Sequence, residues 1–143
     1  MKKSSVLAGL LLLSSTTANA EIVQTKYANI DCNTKEQFNI FSKRTNFDLV
    51  FEKVRKLLNK SPKAKISIVL CSDQNELSSR YETITGNPTN TPAFVYCNTI
   101  YLNLQKLRDG VIAHELVHVF IPSKVDKILM EHMCQFVEKE IQK

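Results

Sequence analysis

The sequence predicts an α+β fold, a minimal zincin-like domain in which a small mixed sheet carries a motif-bearing helix and a C-terminal helix. Apolar residues recur at helical spacing in residues 47–58 and 125–141, and a third apolar helix is predicted over residues 109–121. Alternation in residues 65–71 and β-forming residues in 93–103 predict strands. This order of elements fits a mixed unit with the motif-bearing helix behind the sheet.

The first twenty residues have the pattern of a secretory signal peptide. Met1-Lys2-Lys3 is a basic start, residues 6–13 are apolar, and Ala18-Asn19-Ala20 fits a small-x-small cleavage site. The style of this signal is bacterial. We therefore expect residues 1–20 to be removed and the mature chain to be exported to the periplasm or the medium.

Residues 21–143 are predicted to form one domain, because their length suffices for a single core and they contain no repeat or linker. No second long apolar run follows the signal, so no membrane span is expected in the mature chain. The formal net charge is +5, but the basic residues are spread along the chain. A nucleic-acid partner is not expected, because such proteins need a denser basic patch. The sequence leaves the oligomeric state open.

The first half of the domain is predicted to contain few regular elements. Residues 21–30 hold one weakly indicated strand, and residues 31–45 read as polar and irregular. The helix that follows is capped by Thr45 or Asn46 and ends at Ser61-Pro62. Residues 65–71 form a core strand.

In the second half, residues 72–91 are polar, with room for one short helix around Leu77, Tyr81 and Ile84. Gly86-Asn87-Pro88 breaks whatever precedes it. Residues 93–103 are predicted to form either one long strand or a tight hairpin. The motif-bearing helix starts near Asp109-Gly110 and stops before Pro122.

The chain contains four cysteines, and an even count in a small exported domain predicts two disulfides. Of the three possible pairings, Cys71–Cys97 with Cys32–Cys134 is favoured, because residues 71 and 97 lie in neighbouring predicted strands. Cys134 is expected to be structural, since an oxidised cysteine cannot bind a metal.

The strongest functional pattern is His114-Glu115-Leu116-Val117-His118, a His-Glu-x-x-His motif in an otherwise apolar helix. Residues four apart share a helix face, so both imidazoles can reach one ion. Glu115 lies about 100° round the helix, where a carboxylate can accept a proton from a metal-bound water. Buried imidazoles and carboxylates are costly unless they are paired or bound to metal. The motif therefore predicts a site for one Zn²⁺ ion with two ligands and a base.

A third ligand is needed, and the last helix offers Glu131, His132 and Glu138. A helical wheel places His132 on the predicted apolar face and Glu131 across from it. Either residue can be the ligand, depending on which face packs against the motif-bearing helix. Glu138 is expected to be an exposed helix residue.

The segment from Met130 to Glu138 resembles the second motif of the gluzincin metallopeptidases, in which a Glu ligand is followed by apolar, small and aromatic residues. Met133, Cys134 and Phe136 occupy those three places. The resemblance implies that Glu131 is the third zinc ligand.

The chain also departs from the gluzincin pattern. Twelve residues separate His118 from Glu131, fewer than in larger gluzincins, and Gln135 stands where several branches have an Asp or Asn that orients the first His. His132 with Phe136 is also similar to the third-ligand setting of SprT-like zinc proteins, which implies His132 as the alternative ligand.

Together these features predict an exported zinc metallopeptidase that acts on a peptide or protein substrate through a zinc-activated water, with Glu115 as general base. His132, Tyr96 and Tyr101 are candidates for oxyanion or substrate contacts, although both tyrosines could instead be packed strand residues. The strand containing residues 100–103 is expected to form the rim along which substrate binds.

Two other functions fit the same residues. The first is a non-catalytic, zinc-stabilised periplasmic binding module, which the small size of the domain favours. The second is a zinc amidase acting on cell-wall peptides. A purely structural zinc site has no use for a base, so Glu115 argues for catalysis.

Overall fold

The structure, a computed structural model, describes residues 21–60, 62, 64–121 and 124–143. The predicted signal peptide, residues 1–20, lies outside the described residues. Within the described ranges, five α-helices and one five-stranded mixed sheet confirm the α+β prediction. None of these helices combines the length and apolar character that a membrane crossing requires.

The elements alternate irregularly along the chain. The strands are β1 (Glu21–Gln24), β2 (Ala28–Cys32), β3 (Ile66–Cys71), β4 (Ala93–Tyr96) and β5 (Thr99–Asn103). The helices are α1 (Lys35–Arg44), α2 (Phe47–Leu58), α3 (Gln74–Thr85), α4 (Asp109–Phe120) and α5 (Lys127–Gln142).

The sheet has the strand order β1-β2-β3-β5-β4. The three inner strands run parallel, and the edge strands β1 and β4 pair antiparallel to their neighbours. The strand with residues 100–103, predicted as the substrate rim, is therefore an inner strand with hydrogen-bonded neighbours on both sides. That expectation was wrong, and β4 is the free edge on this side of the sheet.

The two faces of the sheet carry different cores, because successive side chains of a strand point to opposite faces. On β3, Ile66, Ile68 and Leu70 belong to the large core, to which α2, α4 and α5 also contribute. Cys71 points the other way, into a small cluster with Leu77 of α3. The sheet thus separates α3 from the motif-bearing helix α4.

Two polar segments contain more helix than predicted. Residues 35–44 form α1, whose Thr34 cap accepts a hydrogen bond from the Gln37 amide, so the expectation of an irregular segment was wrong. Only Gln37 and Phe41 are buried on α1, which explains its weak apolar signal. Helix α3 is a full 12 residues long and ends at Gly86, whose φ of 78° is readily adopted only by glycine.

The segment 93–103 is a hairpin, one of the two predicted alternatives. Its turn consists of Cys97 and Asn98, with φ values of 50° and 60°. Two consecutive residues with positive φ are the feature of a type I′ turn, whose twist matches that of the flanking strands. Cys97 is thus placed at an exposed hairpin tip.

Candidate metal centre

Helix α4 carries the motif and is otherwise largely buried in the core. Seven of its residues are buried, and Glu115 is the only charged one among them. His114 is half-buried and His118 is exposed, so the polar stripe opens from the core towards solvent. The two imidazole centroids lie 5.2 Å apart, as the spacing of four residues requires.

Helix α5 runs antiparallel to α4, with pairs of residues facing each other at successive turns. A Cβ atom on Gly110 would lie 2.6 Å from Gln142 Nε2. One turn further along α4, His114 contacts Glu138, and one more turn brings His118 to Cys134. The register of this pair of helices decides which side chains of α5 face the motif.

Three possible metal donors converge between the two helices. The ligand atoms of His114, His118 and Cys134 all lie within 4.8 Å of one another. Cys134 Sγ is 3.8 Å from His118 Nε2 and 3.8 Å from the His114 carbonyl oxygen. The donor atoms of two imidazoles and one thiol therefore lie close enough together to bind one metal ion.

The donor set fits zinc. Zinc binds thiolate sulfur at about 2.3 Å and imidazole nitrogen at about 2.0 Å in tetrahedral geometry, which places the sulfur and nitrogen about 3.6 Å apart. The measured separation of 3.8 Å between Cys134 and His118 is close to this requirement. Mixed nitrogen and sulfur donors also suit zinc better than calcium or magnesium.

Glu138 contacts the imidazole ring of His114 at Nδ1. Its Oε2 lies 2.8 Å from His114 Nδ1, which leaves Nε2 of that ring for a metal. Hydrogen bonds with Cys134 and then Glu138, opposed by burial, raise the pKa of His114 to about 10. The prediction of an exposed Glu138 was wrong, because its side chain is only 26% exposed and pairs with the motif.

The Glu115 carboxylate is suited to proton transfer near neutral pH. Glu115 is 8% exposed. Burial raises its pKa to about 7; the positive charge of His114 opposes this rise, whereas the charges of Glu138 and Glu131 add to it. A general base works best when its pKa is close to the operating pH.

The structure does not bring Glu131 into the group of converging donors. Its side chain is exposed on α5. It nevertheless lies close enough to affect His118, whose pKa is lowered by burial and by the charge of His114 and partly restored by Glu131. Glu131 therefore stands at the rim of the site.

His132 is exposed and also lies outside the converging group. The helical wheel predicted an inward face made of Val125, Ile128, Leu129, Met133, Phe136 and Val137. This prediction was only partly right, because the buried residues of α5 are Met130, Cys134, Val137 and Ile141. Ile128, Leu129 and Phe136, which were assigned to the core, are 69%, 53% and 52% exposed. At about 100° per residue, His132 points almost directly away from that buried stripe.

The two tyrosines lie on the far side of the sheet from α4. Tyr101 stacks on Phe94 with ring centroids 4.5 Å apart, inside the small cluster under α3. Tyr96 has the same parity as Phe94 on β4 and so points to the same face. Neither tyrosine therefore lies on the α4 face of the sheet, and the alternative of a packed strand residue holds for Tyr101.

The four cysteines carry free thiols, so the two predicted disulfides are not formed. Cys71 pairs with Asn103 at one end of β5, whereas Cys97 precedes Thr99 at the other end. A disulfide needs Cα atoms within about 7 Å, and the length of a strand separates these two. Burial raises the pKa of Cys32 and of Cys71 to about 12, which keeps both thiols protonated and inert.

Comparisons with models of protein families, with curated proteins and with solved structures find no match to this chain. The interpretation of the site therefore depends on its own geometry. Sequence reasoning missed Cys134 and Glu138, which lie one turn apart on α5. The signal for both was their spacing of four, which matches that of His114 and His118 on the opposing helix.

Proposed function

We propose that this chain is a zinc-dependent peptidase that is exported from a bacterial cell. The observation that carries the proposal is the arrangement on α4, where two imidazoles point towards the same donor group and a buried carboxylate lies beside them. A site that only stabilised the fold would not need a buried carboxylate beside the two imidazoles.

The residues divide into ligands and a base. His114 and His118 hold the ion, with a third donor from α5. A bound Zn²⁺ supplies a Lewis acid that polarises a carbonyl oxygen and lowers the pKa of water. Glu138 fixes the ring of His114 in the orientation that turns Nε2 towards the ion.

Glu115 carries the proton transfers. Its carboxylate accepts a proton from the attacking water and returns it to the nitrogen of the leaving amine. Burial serves this role, because it disfavours the charged carboxylate and so favours its acceptance of a proton.

The substrate class is inferred from the free edge of the sheet. Among the described strands, β4 has a neighbour on one side only and packs near α4. An extended peptide can pair with such an edge through backbone hydrogen bonds. A peptide held there would extend the sheet beside β4, the edge strand that contacts α4.

The test compares Glu115→Gln with the native protein. The variant should bind Zn²⁺ with unchanged affinity and lose about 100-fold to 10,000-fold in cleavage of a mixed peptide library, as expected for removal of a general base. Glu82→Gln, an exposed change on α3, is the matched control and should leave both properties unchanged. Zinc binding without cleavage by the native protein would favour a binding module and contradict the proposal.

A further inference from the structure

We propose that the third metal ligand is the Cys134 thiolate rather than a carboxylate. The inference rests on the proposed zinc site and specifies its third ligand. A site with two imidazoles and one thiolate keeps its fourth position open for water.

The position of Cys134 is fixed by packing. It is completely buried and lies on the stripe of α5 that also contains Met130, Val137 and Ile141. Its apolar neighbours hold this turn of the helix against α4, where Sγ contacts His118 Nε2 and the His114 carbonyl oxygen. The separation of 3.8 Å from His118 Nε2 is already close to that of two ligands on one tetrahedral zinc.

In this helix register Glu131 is not among the converging donors. In the antiparallel pair, the residues facing the motif are Cys134 and Glu138, one turn apart. Glu131 lies about 60° round the helix from Cys134 and nearly one turn away, with an exposed side chain. Its charge can influence the site from the rim, which does not require ligation.

The other three thiols cannot serve as this ligand. Cys32 and Cys71 are completely buried on opposite faces of the sheet, in apolar surroundings that favour the protonated thiol. Cys97 is exposed at the hairpin tip. Cys97 is therefore a suitable control, because its thiol lies outside the group of converging donors.

The first measurement uses the full native chain. Co²⁺ added in place of Zn²⁺ should give the near-ultraviolet charge-transfer band of a cobalt–thiolate bond, which carboxylate and imidazole ligands do not produce. Cys97→Ser should keep the band, and Cys134→Ser should lose it. A native Co²⁺ complex without this band would overturn the inference without any question of whether a variant folds.

Zinc affinity then separates the two possible ligands. Competition with a chromophoric chelator should show a loss for Cys134→Ser that exceeds the 10- to 100-fold typical of outer-shell partners, with little change for Glu131→Gln. The opposite result would overturn the inference and leave the proposed peptidase intact. If Cys134 binds zinc but the native protein cleaves no peptide, the proposed function fails and the inference stands.

Discussion

The two helices that form the candidate site differ in how they are buried. Seven of the 12 residues of α4 are buried, and the helix packs against the sheet, α2 and α5. On α5 only four of 16 residues are buried, and they form a single stripe. The side chains of Ile128, Leu129 and Phe136 are mostly exposed on the outer side of α5.

This difference indicates that the two helices contribute to the site in different ways. On α4 the motif is surrounded by packed side chains, so its chemistry and the stability of the core depend on the same turns. On α5 the donors sit on or beside one narrow stripe, and most of the helix can change without disturbing them. The ligand geometry is therefore rigid on one side and depends on docking of a helix on the other.

The largest expected difference between the two helices is the loss of stability when one leucine on each is truncated. Leu116 on α4 is fully buried, whereas Leu129 on α5 is 53% exposed. We expect Leu116→Ala to lower the free energy of unfolding by about 2 to 5 kcal/mol, because it leaves a cavity. Leu129→Ala should change it by less than about 0.5 kcal/mol. Urea unfolding measures both, and equal losses would show that α5 is as enclosed as α4.

The free energy of unfolding should depend on pH, because the buried Glu115 carboxylate on α4 destabilises the fold when it is charged. Burial raises the pKa of Glu115 from 4.5 to about 7. Between these values the folded protein keeps a proton that the unfolded chain has released, so stability falls as pH rises through this window. The shift corresponds to a loss of about 3 kcal/mol in the metal-free protein, nearly complete at pH 7.

The matched variant for this prediction is Glu115→Gln, which has no group to ionise. Urea unfolding with a chelator at several pH values from 4.5 to 7 should show the native protein losing stability relative to the variant. The raised pKa of His114 acts mainly above pH 6.5 and is present in both proteins. Parallel pH profiles for the two proteins would refute the assignment of the slope to Glu115.

The fold was predictable wherever one face of an element carries most of its apolar residues. Helix α2 begins after its Asn46 cap as predicted, and β3 alternates as a half-buried strand should. Helix α1 was missed because its inward face includes the polar Gln37, which bonds to the Asn33 amide and to Ser72. A search for apolar residues therefore misses a buried helix face on which a polar side chain forms hydrogen bonds.

The site was predictable on α4 and not on α5. The relative positions of His114, Glu115 and His118 follow from their spacing within one helix, and that spacing can be read directly from the sequence. The partners on α5 depend on the register between two helices. A short connection predicts that they are antiparallel neighbours, but a shift of three residues exchanges Glu131 for Cys134. The assumption of disulfides also removed Cys134 from consideration, although all four thiols are free.

A substitution at Glu138 tests how α5 contributes to metal binding. Glu138→Gln should weaken zinc binding about 10- to 100-fold, because the neutral amide orients His114 less strongly than the carboxylate does. Glu140→Gln is the matched control, since Glu140 pairs only with the exposed Lys143 in the described structure. Chelator competition measures the affinity, and urea unfolding shows whether the two variants differ in stability. An equal effect of the two changes would remove the assigned role of Glu138.

The smallest expected effects concern the first turns of the two helices. Asp126 caps α5 by accepting hydrogen bonds from the amides of Ile128 and Leu129 at 2.9 and 3.2 Å. At the start of α4, Arg108 has an extended backbone conformation suited to a cap, but its side chain forms no capping bond. Asp126→Ala should therefore destabilise the protein by about 1 kcal/mol, and Arg108→Ser should stabilise it by up to about 1 kcal/mol.

The substitutions at the two helix starts are expected to change the free energy of unfolding in opposite directions. Replacement of Arg108 also removes a positive charge from the positive end of the helix dipole, which adds to the expected gain. Urea unfolding of the single variants and of the double variant should give nearly additive effects, because the two helix starts share no partner in the described residues. A loss of stability on Arg108→Ser would mean that the exposed arginine forms an interaction that holds α4 in place. In that case the first turn of α4 would depend on its surroundings more than on its own backbone.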